Sequence, residues 1–226
     1  MSAALANDIA VDLTALPVSY AGGRQLHELP PIWLFHDFAS DAEIHALIAA
    51  AKNRMAPAEV SGEDSGFISK GRSNYNGWVA HDCNDLTLQL AGRIAALVGI
   101  PLINAESFQV VHYDPAQQYG AHFDGWDAGT ERGDRCMARG GQRLITALLY
   151  LNDVAAGGAT RFTKLDLDVQ PVKGSLLLFH NCHPGTARRH ELSMHAGLPV
   201  TLGEKWAANL WFRQRDYRWQ AQGAAE

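Results

Sequence analysis

Cysteine is scarce in this chain: 226 residues hold three, Cys83, Cys136 and Cys182, odd in number and far apart. That excludes a disulfide framework and fits a reducing compartment. Long apolar runs are missing as well, and none approaches the roughly 18 residues of a membrane-spanning helix. Basic runs are also absent. With 19 Lys+Arg against 24 Asp+Glu the net charge is -5, so nothing reads as the electrostatic footprint of a nucleic-acid binder. The opening MSAALANDIAVDLTALP lacks the basic region of a secretory signal, and Asp8 and Asp12 interrupt its apolar stretch. The expectation is a cytoplasmic protein with no nucleic-acid and no membrane partner. No feature of the pattern speaks to oligomeric state.

What is present is an ordinary globular composition, 47% hydrophobic and 19% charged, in a length that suits one domain better than two. Residues 1–28 have weak periodicity and read as an N-terminal arm. Residues 29–226 read as a single domain, a helical buttress over 29–104 followed by a β core over 105–215. In the buttress, Ile32–Phe35 reads as a short strand. Ser40-Asp41-Ala42-Glu43 has the form of a capping box, followed by Ile44, Leu47, Ile48 and Ala51 on one helical face. A second helix starts near Asn84 or Asp85, carries Leu86, Leu90, Ile94 and Leu97, and stops at Gly99. The polar, Gly-rich stretch 61–75 between them is a surface loop or a lid.

Beyond Pro101 short strands punctuated by Gly and Pro take over: 108–113, 144–151, 159–162, 166–169, 175–180 and 206–213. Without crossover helices between them, they predict a sandwich or jelly roll with the N-terminal helices covering one sheet. The last strand is two-faced. Trp206, Ala208, Leu210 and Phe212 form a core stripe, whereas Lys205, Ala207, Asn209, Trp211 and Arg213 suit either the polar lining of a barrel mouth or a solvent face.

Within Tyr113–Asp124, His122 and Asp124 lie two apart, so an extended backbone points both to one side. They are two parts of a 2-His-1-carboxylate facial triad, which leaves coordination positions open on a ferrous ion. His180, His183, His190 and His195 are all candidates for the third. A closed structural zinc site around His180 and His183 lacks a Cys-x-x-Cys partner.

Five ordered segments then carry a resemblance over about Pro31 to Arg213. They are Tyr113-Asp-Pro-x-Gln117-x-Tyr119-x-x-His122-x-Asp124, Arg143-x-x-Thr146-x-Leu-x-Tyr150-Leu, Gly157-Gly158-Ala159-Thr160-x-Phe162, Ser193-Met-His195-Ala-Gly197-Leu-Pro199-Val, and Gly203-Glu-Lys205-Trp206. Together they resemble the 2-oxoglutarate- and Fe(II)-dependent dioxygenases of the prolyl 4-hydroxylase type. Ala116 stands where that family usually has glycine.

The resemblance implies a mainly β fold, a double-stranded β-helix (jelly-roll, cupin-like) core with buttressing helices. It implies His122, Asp124 and His195 as the catalytic Fe(II) ligands, and Lys205 as partner of the far carboxylate of 2-oxoglutarate, aided by Tyr113 and Thr160. It also implies O₂ as oxidant, ascorbate (vitamin C) as reductant, and hydroxylation of an unactivated C–H bond with release of succinate and CO₂. Asp124 favours hydroxylation, since related halogenases vacate that position for chloride. Arg143, Trp211 and Tyr119 are implied in holding substrate, with Arg213 in a position where several members have histidine. The substrate so implied is a prolyl residue in a peptide or protein. The 18-residue stretch 125–142 is expected to be a Gly-rich loop that could reshape the pocket, so a free amino acid or small metabolite is an alternative. A jelly-roll binding protein without turnover is a further one, disfavoured by the presence of His122, Asp124, His195, Lys205 and Tyr113 together.

Overall fold

The computed structural model describes residues 10–58, 60–61, 66–67 and 71–217. In chain order its strands begin with β1 (Arg24–His27), β2 (Ile32–Phe35), β3 (Ala56–Pro57), β4 (Val60–Ser61), β5 (Gly66–Phe67) and β6 (Tyr75–Val79). They continue with β7 (Phe108–Tyr113), β8 (Tyr119–His122), β9 (Arg143–Tyr150), β10 (Ala156–Gly157) and β11 (Thr160–Phe162). The last five are β12 (Leu167–Val169), β13 (Leu176–His180), β14 (His195–Gly197), β15 (Val200–Leu202) and β16 (Lys205–Arg213). Three α-helices accompany them among the described residues, α1 (Asp41–Lys52), α2 (Asp85–Val98) and α3 (Glu131–Ala138).

Eight strands form one antiparallel sheet in the order β1-β2-β13-β9-β16-β7-β6-β3, and four form a second, β12-β11-β14-β8. Two apolar clusters show how the layers stack. Ile44 and Leu47 of α1 and Leu90 and Ile94 of α2 pack on Phe108, Leu149, Leu210 and Phe212, so the helices cover one face of the larger sheet. Val111, Leu148, Tyr150 and Ala207 on its other face meet Phe162 and Val169 of the smaller sheet. Strand β9 is therefore sheltered on both faces, which is why Leu144 to Tyr150 reads as a nearly continuous apolar run. This is the expected double-stranded β-helix with buttressing helices.

Local sequence accounts for the element ends. Ser40 caps α1 with its capping box formed, since its hydroxyl accepts from Glu43 N–H while Glu43 accepts from Ser40 N–H. Asn84 caps α2, and Gly99 ends it in the left-handed region at φ 69°. Ala116 occupies the same region at φ 69° in the turn between β7 and β8. Glycine meets that turn without strain, and alanine holds it at a cost of about 1 kcal/mol.

Three expectations need correction. Arg24–His27 does not belong to an arm: it pairs with β2 at the edge of the larger sheet, and the buried Tyr20 hydroxyl bonds His180 Nε2 at 2.7 Å. Nor does residue 105 divide helices from strands, because β2 and β6 belong to the same sheet as β9 and β16. Finally, 125–142 is not simply a loop. Thr130 caps α3 by accepting from Gly133 N–H, with Glu131 and Asp134 in its first turn. In the proposed lid, β4 pairs with β5, while 62–65 and 68–70 lie outside the described residues.

Candidate metal and 2-oxo-acid site

Between the two sheets opens a cavity of about 500 Å³. Its metal-binding candidates come from adjacent strands of the smaller sheet, where His122 of β8 and His195 of β14 are direct cross-strand partners. Their ring centroids are 4.4 Å apart. Asp124 follows just beyond β8, its Oδ1 3.6 Å from His122 Nε2 and its Oδ2 3.7 Å from His195 Nε2. Among the described residues, His183, His190 and Glu191 also cluster. There, however, His190 Nδ1 accepts the Leu192 N–H and Glu191 Oε2 is tied to His183, so those lone pairs are already engaged.

Backbone carbonyls fix how the triad presents itself. His122 Nδ1–H donates to Gly120 O at 2.9 Å and His195 Nδ1–H to Ser193 O at 3.0 Å. Each imidazole is thereby held in the tautomer whose Nε2 lone pair faces Asp124 and is open to a metal. Burial, and then the neighbouring His195, push His122 well below the usual histidine range, keeping it neutral as a ligand must be. Burial acts to raise the Asp124 carboxyl, but His195 and His122 outweigh it and keep the group ionised. Asp124 is oriented from behind: Thr146 donates to its Oδ2 at 2.8 Å, and Asn181 Nδ2 donates to Thr146 Oγ1 at 2.9 Å. Two imidazoles and one carboxylate on one side of an open cavity suit Fe(II) with positions left for ligands.

Deeper in the same cavity is Lys205, 3% exposed. Its ammonium donates to Gly158 O at 2.6 Å and lies 5.4 and 5.5 Å from the Tyr113 and Tyr150 ring centroids. Among the described residues no carboxylate is paired with it, and burial pushes Lys205 down to about 8. A buried cation suits a ligand that brings a carboxylate. Thr160 lines the same end and accepts from Tyr150 Oη–H at 2.9 Å, which leaves the Thr160 hydroxyl proton to donate elsewhere. Gly157 permits this floor: a Cβ there would stand 2.3 Å from Pro199 O. The donor set and the unpaired lysine thus fit Fe(II) and a 2-oxo diacid.

The residues expected to hold substrate are placed less uniformly. Trp211 lines the cavity, as does Arg143. The Arg143 guanidinium is nonetheless engaged, with Nε and Nη2 bound to Glu106 at 2.5 and 2.8 Å and its plane 3.7 Å from the Trp211 ring. Tyr119 is stacked on His122 at 3.6 Å and 16°, with the Arg72 guanidinium 4.5 Å from the same ring, so it steadies a metal ligand. Arg213 does not line the cavity. Register shifts between Phe212 and Arg213, taking the guanidinium out of the inward row to Glu106 and to the carbonyls of Cys136 and Gly141.

Three supporting residues had no local signature, Asn181, Glu106 and Gln142, and Thr146 stood in the Arg143 segment without a role of its own. Gln142 is 1% exposed, accepts from Trp126 N–H and Arg143 N–H, and donates to Trp126 O and Ala187 O. It fastens the entry to the α3 segment against β9.

Known proteins agree with this geometry. Residues 108–213 match the family model described as 2OG-Fe(II) oxygenase superfamily. A putative prolyl 4-hydroxylase of Acanthamoeba polyphaga mimivirus is 32% identical over 200 residues, covering 88% of this chain and 80% of the relative. Coverage of longer relatives is partial: 66% of the probable prolyl 4-hydroxylase 7 of Arabidopsis thaliana and 35% of the rat prolyl 4-hydroxylase subunit alpha-1. Among solved structures, the 2OG complex of the viral collagen prolyl hydroxylase from Paramecium bursaria Chlorella virus-1 is 30% identical with a TM-score of 0.62. The alignment covers 80% of this chain and 95% of that one. The chain belongs to the 2OG-Fe(II) oxygenase superfamily, among its prolyl 4-hydroxylase-like members.

Proposed function

We propose that the chain hydroxylates a prolyl residue of a peptide or protein, with His122, Asp124 and His195 holding Fe(II) and Lys205 receiving the far carboxylate of 2-oxoglutarate. One observation carries this: a metal-competent triad and a buried ammonium without an anion share one cavity. The prolyl substrate is supported by the names of the relatives.

When bound, Fe(II) with 2-oxoglutarate and O₂ supplies oxidative decarboxylation to succinate and CO₂ and insertion of one oxygen into a C–H bond. The protein binds, orients and shelters. Lys205, with the Thr160 hydroxyl beside it, fixes the far end of the co-substrate; the Tyr113 ring walls that end. Gly120 O and Ser193 O hold the imidazole protons away from the metal side, so neither ligand has to be reoriented as metal enters. Trp211 offers an apolar plane on the substrate side, stiffened by the Arg143 guanidinium stacked on it. Ascorbate is the reductant we propose. The free state of Cys83, Cys136 and Cys182 supports the proposed cytoplasmic setting.

A second reading has one observation in its favour. Thr130, Arg132 and Gly133 from the α3 segment help line the cavity, so this segment could shape the site for a free amino acid or small metabolite. A screen decides between them. Proline-containing peptides and free amino acids are incubated with Fe(II), 2-oxoglutarate and ascorbate, and a gain of one oxygen is read by mass. Oxygen on peptidyl proline supports the first reading; oxygen confined to free amino acids overturns it.

A further inference from the structure

Trp126 stands two residues beyond the metal ligand Asp124 and lines the cavity. Its backbone is held from both sides: Gln142 Oε1 accepts from the Trp126 N–H at 2.9 Å, and Gln142 Nε2 donates to the Trp126 carbonyl at 2.7 Å. Gly125 lets that clamp close, since a Cβ there would stand 3.2 Å from Gln142 Oε1. The indole is therefore delivered to a fixed place in the cavity wall.

Two cations meet the indole there. The Arg213 guanidinium carbon lies 4.6 Å from its ring centroid and that of Arg143 4.8 Å. Arg143 in turn lies 3.7 Å from the Trp211 ring. Arg213, Trp126, Arg143 and Trp211 thus form a run of alternating cations and rings that ends on the substrate side of the cavity. Glu106 binds both guanidiniums, and on Arg143 it takes the edge that bears Nε and Nη2. An edge held by one carboxylate still lets the group pivot, and its tilt falls to the rings packed on it. An indole face attracts a guanidinium by about 0.5–2 kcal/mol, most where water is excluded. The Arg143 side chain is 15% exposed, so its contacts are made largely out of water.

We propose that Trp126 is a positioning residue for the substrate: by packing on the Arg143 guanidinium it fixes the plane of Trp211, against which the proline lies. This rests on the hydroxylase reading given above, with proline, peptidyl or free, as the substrate. The segment that leads into α3 then acts on substrate binding through this one ring. Without the ring, Arg143 pivots about its edge on Glu106 and Trp211 shifts with it. The proline is then held in more than one pose, and small misplacements of a substrate are costly.

The test compares the full chain, loaded with Fe(II) and 2-oxoglutarate, with Trp126→Ala, Trp126→Leu and Trp126→Phe. The probes are a short alanine peptide with one central proline and, as a separate arm, free L-proline. Probe binding is measured without O₂, so that nothing turns over. With O₂ and ascorbate admitted, the hydroxylated product is read by mass and succinate is measured in parallel. Trp126→Ala and Trp126→Leu should each weaken probe binding about tenfold, raise its KM to match and release more succinate per hydroxylated proline. Trp126→Phe keeps a ring face for the guanidiniums and should stay near wild type. Leucine and phenylalanine both fill the space, so a ring that only packs would make those two variants alike. Fe(II) affinity, titrated separately, should be the same in all of them. A Trp126→Leu protein that matches wild type, or a Trp126→Phe protein as poor as Trp126→Leu, overturns the inference and leaves the hydroxylase reading standing. So does a loss of Fe(II) affinity that parallels the loss of probe binding, which would place the effect on Asp124. Succinate formed by wild type with neither probe hydroxylated overturns the proline reading and this inference with it.

Discussion

An ammonium buried without a carboxylate destabilises the protein that holds it, unless a ligand brings the missing charge. Lys205 is in that position. Its folded-state pKa, about 8, lies below the 10.5 of an exposed lysine, so the unfolded chain holds the proton more tightly. The destabilisation is therefore complete below pH 8 and relieved as pH rises from 8 toward 10.5, and it amounts to at most about 3 kcal/mol. Lys205→Met should accordingly raise the unfolding temperature of the protein without 2-oxoglutarate at pH 7. It should also abolish the further rise that 2-oxoglutarate gives, and raise the 2-oxoglutarate KM by a factor corresponding to about 2–5 kcal/mol. Thermal melts with and without the co-substrate read both effects; an unchanged KM would contradict the assignment. Thr146 acts one contact away from the metal. Thr146→Val removes the donor to Asp124 and leaves Asn181 Nδ2 without its acceptor, so Fe(II) affinity should fall about 10- to 100-fold. Thr146→Ser should restore it, as an Fe(II) titration would show.

Among the elements, β9 and the α3 segment depend on two buried polar side chains. Gln142 closes four hydrogen bonds to backbone groups around Trp126, Arg143 and Ala187. Gln142→Ala should destabilise by about 1–3 kcal/mol and speed amide exchange over 126–139 more than over β13 or α2. Hydrogen-exchange mass spectrometry separates local from global loosening. Glu106 pairs with both Arg143 and Arg213, which face each other across β9 and β16. Burial acts to raise its carboxyl, but the two guanidiniums outweigh it, so its pKa lies below the usual range. The stability Glu106 contributes is present at neutral pH and is lost as pH falls through that lowered pKa. Glu106→Gln should cost about 3–5 kcal/mol in chemical denaturation at pH 7, with the difference from wild type narrowing in acid. An equal midpoint for the two proteins at pH 7 would show that the cluster contributes nothing.

At the scale of the whole molecule, the layers were legible because burial imposes period. The α1 and α2 stripes, the sheltered run of β9 and the two faces of β16 follow directly from which side meets the core. His122 and Asp124 were legible from a spacing of two, and His195 and Lys205 from the segments that resemble the family. The supporting residues were not. Thr146, Asn181, Glu106 and Gln142 act mainly on residues distant in sequence, through side-chain contacts that leave no periodic trace. Arg213 was misplaced because strand alternation was carried through a register shift, and α3 was overlooked although Thr130 followed by Glu131 and Asp134 marks a helix start. The fold supplies two sheltered faces, one closed over by helices and one opened into a cavity where the charges gather.

The most direct test is succinate formation from 2-oxoglutarate by the full chain loaded with Fe(II), with His195→Ala and His190→Ala compared alongside. If His122, Asp124 and His195 hold the metal, the wild type forms succinate, His195→Ala forms none and binds Fe(II) weakly, and His190→Ala remains active. An Fe(II)-loaded wild type that forms no succinate, or an active His195→Ala beside an inactive His190→Ala, would contradict it.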